Sequence, residues 1–85
     1  MSKGWKPAAA WQPEEYPGSP YQRLILGKWQ CSVRTEPQNQ GHVWAVITKT
    51  WFGNWQHDGG FAPSVGEAMY KAETALQRVS GLKVT

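Results

Sequence analysis

The chain has 85 residues, 40% of them hydrophobic, with six Trp, three Tyr and two Phe, a single Cys and a formal net charge of +3. That length holds one small core built on few bulky aromatic side chains, the lone Cys31 excludes an intramolecular disulfide, and nothing approaches the roughly 20 apolar residues that span a bilayer. With no apolar signal stretch after Met1-Ser2-Lys3, the expected setting is reducing and cytoplasmic, with no membrane.

Residues 1–20 hold four of the six prolines, Pro7, Pro13, Pro17 and Pro20, and no periodic pattern, which predicts an extended arm ahead of one α+β domain at 21–85. The arm carries Trp5, Trp11 and Tyr16 at nearly even spacing, so it is expected to dock, either on its own domain or on a partner. From Tyr21 strand-like runs take over. Leu26-Gly27-Lys28-Trp29 and Phe52-Gly53-Asn54-Trp55 each place Gly first between large apolar residues, the signature of a type II′ hairpin. Strands are therefore expected near 21–26, 29–35, 42–52 and 55–61, or three in all if 21–34 runs as one, with a polar loop at 35–41.

Alternation sets Leu24, Leu26, Trp29, Cys31 and Val33 on one face of the sheet and Tyr21, Arg23, Ile25, Gln30, Ser32 and Arg34 on the other. The third strand is apolar on both faces in its first half: Trp44 and Val46 on one, Val43, Ala45 and Ile47 on the other. One helix covers only one face, so the second is expected to meet the arm, a second copy in a homodimer, or a ligand. That helix is expected at 64–79. Ser64-Val65-Gly66-Glu67 matches the capping box; Val65, Ala68, Met69, Ala72, Leu76 and Val79 recur at helical spacing, leaving Glu67, Lys71, Glu73, Gln77 and Arg78 to solvent, and Gly81 is the expected stop.

No catalytic, cofactor or metal signature is present. Cys31, His42, His57 and Asp58 lack the close-spaced pairs of zinc modules, and Cys31 falls on the core face, where a reactive thiolate has no access. In His57-Asp58-Gly59-Gly60, neighbouring strand residues point to opposite faces, which separates a base from an orienting carboxylate; the glycines lack the Lys of a phosphate loop and read as a bulge or bend. Glu14 and Glu15, out in the arm, have no shielding for catalysis.

What remains is binding. The ends of the chain are neutral, whereas residues 21–57 hold Arg23, Lys28, Arg34 and Lys49 against Glu36 alone, together with Trp29, Trp44, Trp51 and Trp55. Aromatic side chains interleaved with cations make a stacking platform for nucleic acid. Trp29, Trp44 and Trp55 are expected in the core, so the candidate site is Arg23, Lys28, Arg34, Lys49 and Trp51. Gly27-Lys28-Trp29-Gln30-Cys31-Ser32-Val33-Arg34 resembles the Gly-Lys-Trp strand of the plant AP2-type and integrase N-terminal DNA-binding domains, and Ser64, Glu67, Ala68 and Ala72 look like the start of their helix. The resemblance covers under a third of the chain and implies duplex contacts from Arg23, Lys28, Arg34 and Trp44 or Lys49; a second hairpin and the single arginine of the first strand depart from it. The layout is also similar to that of single-strand-binding dimers of the transcriptional-coactivator type. The competing expectation is a protein-binding accessory or inhibitory protein of the kind phages encode, acting through the apolar sheet face and the aromatic arm.

Overall fold

A computed structural model describes Ala8 and residues 11–14, 21–36 and 41–83. Trp5 and Tyr16 of the arm lie outside these residues. The chain forms β1 (Gln12–Pro13), β2 (Gln22–Leu26), β3 (Trp29–Glu36), β4 (Gly41–Thr50), β5 (Gly53–Ala62) and α1 (Val65–Ser80). All five strands make one antiparallel sheet in chain order, with α1 lying across β3, β4 and β5. The α+β class with a C-terminal helix is as expected, but among the described residues the sheet has five strands rather than three or four. The extra one, β1, is a two-residue edge strand pairing Gln12 with Arg23 and Pro13 with Gln22. It is too short for any periodicity, and its proline is tolerated because an edge strand needs only one of its two rows of backbone groups.

At the first hairpin, Gly27 takes φ 61° and Leu26 pairs with Trp29, so the turn is Gly27–Lys28. The second turn is not at Gly53–Asn54. It lies two residues earlier, at Trp51–Phe52, because Thr50 pairs with Gly53. The threonine hydroxyl stabilises this choice: its Oγ1 accepts from Phe52 N at 3.3 Å and donates to the Gly53 carbonyl at 2.7 Å, a local side-chain turn that competes with the glycine signature. Gly53, at φ 126°, then lets the chain leave the turn.

The helix starts as its cap predicts. Ser64 has extended backbone and accepts from Glu67 N, and Gly81 closes the other end at φ 73° with its N–H donating to the Gln77 carbonyl. Between sheet and helix, Leu24, Cys31, Val33, Trp44, Val46 and Ala62 pack against Ala68, Met69, Ala72, Ala75 and Leu76. The alanines let the helix approach closely: Cys31 Sγ lies 3.5 Å from the Ala72 carbonyl, to which the thiol donates. Gly60 on β5 leaves room for its pairing neighbour Trp44, whose ring an added Cβ would approach to 3.2 Å.

Two expectations about the helix fail. Val79, assigned to the apolar face, is exposed. Glu73, assigned to solvent, is only 5% exposed. Its Oε1 accepts from Trp11 Nε1 at 2.6 Å and from Ala8 N at 2.8 Å. Trp11 is itself buried in the core cluster. At this point the arm therefore folds back onto its own domain, and a carboxylate can sit in the core because two donors meet it there.

Candidate functional site

The five residues singled out by charge and aromaticity do not form one face. Successive pairs from β1 to β5 set out the uncovered side of the sheet: Gln12–Arg23–Ser32–Ala45–Gly59 in one row, Ile25–Gln30–Ile47–Gln56 in the next, and Arg34–Val43–Phe61 beyond the first. Arg23 and Arg34 both stand on this side, and both are engaged. Arg34 Nη2 lies 3.1 Å from Glu14 Oε2 and Arg23 Nε 3.8 Å from Glu14 Oε1. The Arg34 guanidinium also sits 5.8 Å from the centre of the Tyr21 ring, a cation–π distance. The Glu14 carboxylate of the neutral arm thus pairs with two of the four cations and offsets one of their charges.

Lys28, Lys49 and Trp51 gather elsewhere. The two hairpin turns lie at the same end of an antiparallel meander, and Lys49 N donates to the Lys28 carbonyl at 3.1 Å. Both lysines are exposed, and among the described residues neither has an ion-pair partner. Trp51 is 88% exposed and Phe52 98%. Trp55, expected in the core, is 65% exposed although it pairs with the buried Thr48. This end therefore carries three exposed aromatic rings and two exposed lysines, with Trp55 on the helix side of the sheet opposite Thr48 and Lys49 on the uncovered side with Ile47. Phe52 was missed because turn placement decides its exposure, and the Thr50 hydroxyl, which shifts the turn, was the available signal; Trp55 lies within the edge strand β5. Trp44, implied as a duplex contact by the AP2-type resemblance, is buried on the helix side, and its Nε1 has no hydrogen-bond partner among the described residues.

The possible chemical groups hold structural positions. The register between β4 and β5 shifts between Val46 and Ile47, which pair with Asp58 and Gln56 and leave His57 as the bulged residue. The bulge sits two residues before the glycines that had suggested it. It also breaks the alternation expected at His57-Asp58, and both side chains turn to the helix side. His57 Nε2 lies 2.9 Å from Thr48 Oγ1, and its ring centre 4.8 Å from that of Trp29. Asp58 accepts from Gly59 N at 2.8 Å and pairs with Arg78 of α1. His42 Nδ1 lies 3.3 Å from Thr35 Oγ1. Cys31 is fully buried, and desolvation, with the Glu73 carboxylate adding to it, pushes the thiol from 9.0 up to about 12. A thiol held so firmly protonated is no nucleophile. Among the described residues no three His, Cys, Asp or Glu side chains come together as a metal site, and no helix is long and apolar enough to cross a membrane. Compared with known proteins, the chain matches no family model, no curated protein and no solved structure.

Proposed function

We propose that this domain is a non-enzymatic module that binds nucleic acid with little sequence preference, through the hairpin end formed by Lys28, Lys49, Trp51, Phe52 and Trp55. The observation that carries the reading is the near-complete exposure of Trp51 and Phe52 on a two-residue turn beside two lysines. Large rings left in water are unfavourable in so small a domain unless a partner covers them, and every base offers a face on which they can stack. The lysines supply the electrostatic attraction. The lone buried Cys31 suits a reducing cytoplasm.

Glu14 pairs with both arginines, so the reading rests on Lys28 and Lys49, the two of the four cations that have no ion-pair partner among the described residues. For a single strand each contributes about 0.7 to the dependence of log K on log salt, which predicts a slope near −1.4 and weak binding. Fluorescence anisotropy of a labelled oligothymidine across a salt series measures it. Trp51→Ala should weaken binding by about 1–3 kcal/mol and leave the slope alone, whereas Lys28→Gln with Lys49→Gln should flatten the slope. No retention on single or double strands at about 50 mM salt, where the electrostatic term is strong, sinks the proposal.

A second reading, a protein-binding accessory module, is favoured by the uncovered sheet face. Ile25 and Phe61 are 49% and 58% exposed there, beside the half-buried Val43, Ala45 and Ile47. The same face would serve a homodimer. Sedimentation of Ile47→Glu and Trp51→Ala separates the two, since self-association through the sheet responds to the first change and not to the second.

A further inference from the structure

Glu14 does more on the uncovered face than pair with two arginines; it marks where an anion is held. Two guanidinium groups from adjacent strands converge on one carboxylate whose side chain is only 11% exposed, while the arginines themselves remain 45% and 58% exposed. A phosphodiester has the same charge and the same paired oxygen acceptors, and arginine is the side chain suited to meet either. Next to this site is a cleft of about 240 Å³ lined by Gln12, Pro13, Arg23 and Ile25. Arg23 thus belongs both to the anion site and to the cleft wall. Pro13 and Ile25 offer apolar surfaces for a flat ring, and the Gln12 carboxamide offers both a donor and an acceptor for the ring's edge.

We propose that Arg23, Arg34 and this cleft form a nucleotide subsite, with the phosphate replacing the Glu14 carboxylate between the arginines and the base lying against Pro13 and Ile25 under the Gln12 amide. The inference rests on the nucleic-acid reading of the domain and extends it: a strand held at the hairpin end would run about 14 Å from Lys49 to the Arg23 row, four residues at 3.4 Å each. The exchange needs only a side-chain movement. The Glu14 backbone stays in place because its N–H donates to the Tyr21 carbonyl at 2.7 Å and Trp11 stays buried three residues earlier. Glu14 is then an internal competitor that lowers affinity until a phosphate displaces it.

The test uses the full chain and its Glu14→Gln variant, titrated with inorganic phosphate, with thymidine 5′-monophosphate and with an eight-residue oligothymidine. Nuclear magnetic resonance follows the side-chain N–H signals of Arg23, Arg34, Gln12 and Trp51. In Glu14→Gln the nucleotide should half-saturate Arg23 and Arg34 at about a fivefold lower concentration than in the wild type, the competition expected of two exposed ion pairs. Phosphate alone should move the arginines but not Gln12, the nucleotide should move both, and the oligonucleotide slope should steepen by about 1.4 as two cations join the contact. Adding Arg34→Gln to Glu14→Gln should remove most of the gain. Equal titrations of wild type and Glu14→Gln overturn the subsite, as do arginine and Gln12 signals unmoved by the nucleotide. If the oligonucleotide moves Trp51 while the arginines stay still, the subsite falls and the hairpin reading stands. If the arginines and Gln12 respond while Trp51 does not, the subsite stands and the hairpin reading falls.

Discussion

Replacing Trp11 by alanine tests whether the N-terminal segment belongs to the folding unit. The indole is 8% exposed within the core cluster, and truncating a buried Trp removes packing worth about 3–5 kcal/mol. It also takes from Glu73 one of the two donors that hold its carboxylate in the core. A domain of this length has roughly 4–13 kcal/mol of stability in all, so Trp11→Ala should lose a third of it or more. Trp11→Phe separates the two contributions: most of the ring packing stays, and the lost charged hydrogen bond should cost about 1.5–3 kcal/mol. Pairing Trp11→Phe with Glu73→Gln in a double-mutant cycle should give a coupling of about 1 kcal/mol or more, since both changes act on one contact. Urea unfolding followed by far-ultraviolet circular dichroism measures each midpoint and slope. If Trp11→Ala unfolds within about 0.5 kcal/mol of the wild type, the segment is not part of the cooperative core and Glu73 does not anchor it.

Ser64→Ala should cost about 1 kcal/mol, read as a lower urea midpoint, because the Glu67 amide loses its cap. Gly60→Ala and Gly27→Ala should both destabilise, for different reasons. The first forces a Cβ to 3.2 Å from the Trp44 ring, at about 1–3 kcal/mol, whereas the second has open space and suffers only from its positive φ, at about 1 kcal/mol. A thermal scan that ranks Gly27→Ala as the more damaging contradicts the packing account. For Cys31, a folded value raised above the unfolded one leaves stability intact below pH 9 and lost as pH rises from 9 towards about 12. By pH 10.5 the wild type should have lost about 2 kcal/mol more than Cys31→Ala, measured by urea unfolding of both at matched pH.

What the sequence makes legible is local. Leu24, Cys31 and Val33 go to the core because alternation on a regular strand is a property of the strand itself, and all three are fully buried. The Ser64 cap and the Gly27 turn are equally short-range. Where the reading fails, a contact distant in the chain has decided the outcome. Glu73 is buried because Trp11, 62 residues away, brings it a donor. His57 and Asp58 share a side because a bulge is set by two strands together, not by one. Charge shows the same division in a form that bears on function. Composition locates four cations in residues 21–57, but summing charges along a chain cannot say which of them a distant carboxylate holds. Arg34 meets Glu14 across 20 residues, and only the strand order β1–β2–β3 brings Glu14 to both arginines at once. The pairing divides one apparent basic face into an end without ion pairs among the described residues, at Lys28 and Lys49, and a pair of arginines that share Glu14, with which any incoming anion has to compete. The proposed affinity, its salt dependence and its internal competition all follow from that division.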